Sequence, residues 1–82
     1  MQGGASKLQL GTKDILMTVM RLGYSRFVLV HNHTSNVPLP SKSDIEFTAS
    51  LQNEAASLSL RLFDHLVVGK DSYFSFLENG LI

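Results

Sequence analysis

The sequence predicts a small α/β layered domain, on three observations. Apolar residues recur at helical spacing in two segments. Those segments alternate with short runs rich in β-branched and aromatic residues, and glycines, prolines and serines punctuate the changes. The implied order is β-α-β-α-β-β, which calls for helices packed on a sheet. With 82 residues the chain forms one domain at most, with a modest core.

Residues 1–6 are small and polar and read as a loose lead-in, and residues 7–10 (KLQL) as a short strand. Gly11 then breaks the chain, and Thr12 is the expected N-cap of a first helix, with Asp14 placed favourably in its first turn. Ile15, Val19 and Leu22, flanked by Leu16 and Met20, make the stripe that packs this helix on a sheet, and Gly23 ends it. Residues 25–31 (SRFVLVH) are almost entirely apolar, as expected of a central strand covered on both faces. A loop with Pro38 and Pro40 follows, and a second helix starts at Ser41. Its predicted stripe is Ile45, Thr48, Leu51, Ala55 and Leu58, and it should end near residues 57–59. Residues 60–68 (LRLFDHLVV) form the next expected strand, residues 69–72 a turn, and residues 73–77 (YFSFL) a last short strand.

Composition narrows the function classes. The chain is 44% hydrophobic and 17% charged, as folded proteins are. Seven basic and seven acidic residues cancel, so there is no electrostatic footprint for a phosphate backbone, and direct nucleic-acid binding is disfavoured. The absence of cysteine excludes a disulfide scaffold, a thiolate metal site and a cysteine nucleophile. The longest apolar run, FVLV, is far too short to span a bilayer, and the N-terminus lacks a signal-peptide core. A cytoplasmic protein is expected.

The stretch HNHTSNVPLPSKSD, residues 31–44, holds the chemistry. Strand residues i and i+2 project from one face, so His31 and His33 can converge on a point that Asn32 turns away from. Two imidazoles at a strand end can hold a divalent metal, and a third ligand would complete a site with an open position. Asp44, in the first turn of the next helix, is the candidate. The same residues also have a plain structural reading. An isolated H-x-H pair is commonly solvated or hydrogen-bonded, and S-x-x-D opening a helix resembles a capping box with Ser41 at its N-cap. Asp64 and His65 point to opposite strand faces, and so read as structural or supporting residues, one of them bonding across the sheet. Tyr73, Phe74 and Phe76 could stack on bases, but with no basic patch beside them they read as sheet packing.

Taken whole, H-x-H, seven residues, then S-x-x-D resembles the JAMM motif of the JAB/MPN metalloproteases. LVHNHTSNVPLPSKSDIEFT followed by LFDHLVVGKDSYFSFLENG resembles the C-terminal domain of the DNA repair protein RadC family, over about residues 12–82. The resemblance implies a JAB/MPN, cytidine-deaminase-like layered fold. It implies a single domain over residues 1–82 that lacks the family's N-terminal strands. It further implies His31, His33 and Asp44 as ligands of a zinc ion, and Ser41 as the hydroxyl that assists a metal-bound water or a developing oxyanion. Thr34 and Asn36 depart from the proline and glycine of the family pattern, and Asn36 tolerates the left-handed backbone that such a turn needs. The family's general base is a glutamate on an earlier strand. No glutamate precedes His31 here, and Asp14 is the only acid upstream of it.

Three readings follow. One is a zinc-dependent hydrolase of peptide or isopeptide-type amides, with its base supplied from elsewhere. The second is a non-catalytic interaction module that keeps the fold. The third is an accessory role in DNA repair, which rests on the family's name. A sheet without its leading strands also leads us to expect a homo-oligomer or a partner strand at the exposed edge.

Overall fold

A computed structural model describes residues 11–33 and 37–82. The expected lead-in, the strand at residues 7–10 and the turn at Thr34 and Asn36 lie outside them. Helix α1 (Thr12–Arg21) has its N-cap one residue earlier than expected. Gly11, extended at φ −91° and ψ 170°, is the N-cap, and its N–H donates to Asp14 Oδ2 at 3.3 Å. Thr12 is the first helical residue and sends its hydroxyl to Glu54 Oε1 at 2.6 Å, tying α1 to the second helix. At the other end Gly23 adopts φ +81°, with Gly23 N–H bonded to Met20 O and Tyr24 N–H to Val19 O. This pair of bonds is a Schellman termination, for which a glycine in the left-handed region is the usual solution. Leu16 and Val19 are buried as the stripe requires, but Met20 and Leu22 face water.

Strand β1 (Arg26–Asn32) runs parallel to β2 (Arg61–Val68), which pairs antiparallel with β3 (Tyr73–Ser75), in the order β1-β2-β3. Helix α2 (Lys42–Ser57) is the crossover between the two parallel strands. The expectation that β1 is covered on both faces does not hold. Phe27 and Leu29 pack toward the helices, whereas Val28 and Val30 are 46% and 59% exposed on the opposite face. Among the described residues both helices contribute to the same core, so only one face of the sheet is covered. Apolar residues on both sides of a strand therefore did not mean burial on both sides.

Thr48, Leu51 and Ala55 of α2 are buried, and Leu51 and Ala55 join Leu16 and Leu62 in the core. Phe47 packs against that cluster, while Ile45 and Leu58 at the ends of the predicted stripe are exposed. A narrower stripe suffices because α2 lies on a three-stranded sheet with α1 beside it. The last strand stops at Ser75, where the chain turns: Phe76 points into the core, and Leu81 N–H bonds back to Phe76 O at 2.8 Å.

One irregularity decides what β2 shows to the helices. Phe27 pairs with Leu62 but Val28 pairs with Asp64, so Phe63 is an extra residue bulged out of the ladder. Leu62 and His65 therefore both face the helices although they are three positions apart.

Candidate metal centre

Strand alternation places His31 beside Phe27 and Leu29 on the helix side of β1. The ladder continues one residue past the strand, where His33 N–H donates to Val68 O at 2.9 Å. The two imidazoles thus leave the strand end together, with ring centroids 4.7 Å apart and planes at 86°. Asp44 meets them from the first turn of α2. His31 Nδ1 is 3.8 Å from Asp44 Oδ1, and His33 Nε2 is 3.6 Å from Asp44 Oδ2. One ligand atom from each of the three residues lies within 4.8 Å of the others, a group that could hold a metal ion.

The cap of α2 orients the carboxylate. Ser41 N–H donates to Asp44 Oδ2 at 2.8 Å, and Asp44 N–H donates to Ser41 Oγ at 3.1 Å, a reciprocal capping box. The capping reading of S-x-x-D holds, and the bond that starts the helix also aims the Asp44 carboxylate toward the two imidazoles. Burial works against the Asp44 charge. The Ser41 N–H and hydroxyl and the two imidazoles outweigh it and hold the carboxyl below its ordinary value. Ser41 Oγ also lies 3.0 Å from Ser43 Oγ.

His65 supports the group from behind. It is 2% exposed and lies between two rings, Phe76 at 4.5 Å and His31 at 6.0 Å between centroids. Its Nδ1 is 2.7 Å from Thr48 Oγ1, and the Thr48 hydroxyl donates to Asp44 O at 2.8 Å. A hydroxyl has one proton to give, so Nδ1 must carry the hydrogen in the His65–Thr48 bond. The result is a relay from β2 through Thr48 to the backbone of Asp44. Burial, reinforced by the neighbouring His31, pushes the His65 pKa down to about 4, which keeps the ring neutral at neutral pH. The sequence shows Thr48 only as a polar member of an apolar stripe. Its position four residues after Asp44 was the available signal of this link.

Asp64 does not enter the site. It faces the other side of β2, where it accepts from Ser75 Oγ at 2.6 Å, Leu77 N–H at 2.9 Å and its neighbour His65 N–H at 2.7 Å. Tyr73 bonds Glu78, and Phe74 and Phe76 meet edge to face at 5.6 Å, which is sheet packing. Glu54 is engaged by Thr12 and Glu78 by Tyr73, and neither belongs to the histidine–aspartate group.

A sequence profile described as a RadC-like JAB domain matches residues 1–81. The chain belongs to the RadC-like JAB domain family. Curated relatives agree with this. A UPF0758 protein of Fusobacterium nucleatum is 41% identical over 70 residues, covering 85% of this chain and 30% of the relative. One from Streptococcus thermophilus is 37% identical over 76 residues, covering 93% of this chain and 33% of the relative. One from Trichlorobacter lovleyi is 30% identical over 81 residues, 99% of this chain and 35% of the relative. The chain thus spans about a third of the length of the curated relatives it matches. Its three-stranded sheet and two helices accord with a RadC-like JAB domain. No helix among the described residues is long and apolar enough to cross a membrane.

Proposed function

We propose that this RadC-like JAB domain binds zinc through His31, His33 and Asp44 and serves the hydrolysis of peptide or isopeptide-type amides. The observation that carries the proposal is the convergence of the three side chains. Their 3.6 and 3.8 Å contacts approach the roughly 3.4 Å edge of a tetrahedron built on Zn–N bonds of about 2.0–2.1 Å. Two imidazoles and one carboxylate suit zinc chemically and leave a position open. Bound there, zinc would supply a readily ionised water and polarise an amide carbonyl.

The chain's own groups hold and orient. Asp44 stays ionised on the Ser41 N–H, and His65 steadies its backbone through Thr48. The Ser41 hydroxyl accepts one bond from Asp44 N–H, and its proton can turn from Ser43 toward a developing oxyanion. By family resemblance the general base is a glutamate upstream of the histidines. None of residues 1–30 is a glutamate, so the base would come from a part of the relatives that this chain does not match or from a partner.

The test is the metal content of protein purified without chelator. Near-stoichiometric zinc is expected in the native chain, and loss of most of it in His33→Ala. Native protein without zinc, or equal zinc in both, sinks the metal reading. For protein that holds zinc, an amidase assay with and without chelator separates an enzyme from an interaction module.

A further inference from the structure

Strand β1 pairs with β2 on one side, and among the described residues no strand pairs with its other side. Ser25 O accepts from Arg61 N–H, and His33 N–H donates to Val68 O, so the odd-numbered residues between them turn their main-chain groups to β2. Backbone alternation then turns the N–H and C=O of Val28, Val30 and Asn32 to the free side. Such a row of donors and acceptors is a template for one more strand. A cavity of about 320 Å³ lies against this side, at the lower end of the roughly 300–1,000 Å³ of ligand pockets. Leu29, Val30, His31 and Asn32 are consecutive and all border it, as they can only if it runs along the rim of the sheet. On the helix side its wall is apolar at Ile15 of α1 and Phe47 of α2. The wall has no lysine or arginine, and Asp44, its one carboxylate, takes the Ser41 N–H and faces the two imidazoles.

We infer that an extended peptide adds as a strand along this edge and seats one large aliphatic side chain in the cavity. Main-chain bonds to Val28, Val30 and Asn32 hold the guest, and the pocket selects among side chains, the division of labour of strand addition. Paired strands lie about 4.7–4.9 Å apart, so a guest residue opposite Leu29 or His31 sends its side chain between Ile15 and Phe47. Leu29 stands two residues before His31 on β1, and Phe47 three after Asp44 on α2. Each wall residue thus shares a face with a member of the histidine–aspartate group. The main-chain amide next to the seated side chain therefore lies beside that group. That the guest is a substrate rests on the hydrolase reading, whereas the edge and the pocket stand without it.

The experiment titrates N-acetyl-Thr-Thr-Leu-Thr-Thr-amide into the full chain, labelled with 15N and stripped of metal by chelator, and follows backbone amide exchange. Saturable binding should slow the Val28, Val30 and Asn32 amides by about tenfold or more and leave the Leu29 and His31 amides, already bonded to β2, unchanged. The serine-for-leucine analogue should bind about tenfold or more weakly, the worth of burying the leucine side chain. Two further analogues carry N-methyl groups on alternate residues, one set including the leucine and the other flanking it. Only alternate N–H groups of an added strand face its neighbour, so one set should abolish binding and the other keep it. None of these comparisons needs a variant of the chain. No saturable binding, equal binding of the leucine and serine probes, or equal binding of the two methylated sets overturns the inference. So do edge amides already slow in the free chain, by contact with its own residues or, if the slowing rises with concentration, with a second copy. Because metal is absent, peptide binding by a chain that takes up no zinc keeps the added strand and sinks only the metal reading. Zinc uptake without peptide binding does the reverse.

Discussion

Asp64 shows how much one carboxylate can organise in a domain this small. It gathers three donors from β2, β3 and the turn after β3: the His65 N–H, the Ser75 hydroxyl and the Leu77 N–H. Desolvation opposes its charge, but these donors outweigh it and hold its pKa below 3.8. A carboxyl depressed on folding contributes stability above its unfolded pKa and loses it as pH falls through the folded value. Asp64→Asn should therefore lower stability at pH 7 by about 1–3 kcal/mol, since hydrogen bonds to a charged acceptor are lost. The difference from the native chain should shrink as pH drops below 3.8. Urea unfolding at pH 7 and pH 3 measures both; a difference that grows in acid contradicts the assignment. Adjacent residues can thus do unrelated work, Asp64 closing the β2–β3 hairpin while His65 braces the site.

The elements differ in how much of them local sequence could reveal. Ser41 and Asp44 were legible as a cap because their spacing is that of the reciprocal bonds, and Gly23 as a helix stop because only glycine is free of strain there. The end of α2 was placed correctly, but its geometry was not legible. Ser59 adopts φ 61°, with Ser59 N–H bonded to Ala56 O and Leu60 N–H to Ala55 O, the same termination that Gly23 gives α1. A serine in that conformation carries a steric cost that glycine avoids. Ser59→Gly should raise stability by about 0.5–1 kcal/mol, read as a higher urea midpoint, with no change in metal content. A lower midpoint would show that the serine is not strained. The exposed ends of both predicted stripes have a different origin: Leu22 and Leu58 fit the helical period but fall beyond the sheet. Periodicity gives a direction, and only the neighbouring layer decides how far along a helix burial extends.

At the scale of the whole molecule, the helices and the site share one side of the sheet, and among the described residues no element covers the other side. Val28, Val30 and Phe63 stand exposed there, and Phe63 is 47% accessible. Apolar residues grouped in this way on a sheet face favour association. Sedimentation velocity should show the native chain self-associating as concentration rises, and Val30→Lys should shift it toward monomer. A native chain that stays monomeric throughout overturns this expectation. The histidine–aspartate group could be found by spacing because strand, loop and helix are contiguous in sequence, whereas the His65–Thr48 brace joins residues 17 apart and appears only when β2 lies against α2.

The bulge at Phe63 gives β2 two registers of facing in one strand. Before it, the ladder is set so that Leu62 closes the core; after it, the parity is reversed and His65, not Asp64, looks toward the histidine–aspartate group. Which of the two titratable neighbours serves the site is therefore decided by a count of residues rather than by their chemistry. A chain one residue shorter at this point could keep every side chain named in the site and still present a carboxylate where the imidazole belongs. Comparisons within the family that slide a gap across this position would exchange the two roles without changing a letter of the motif.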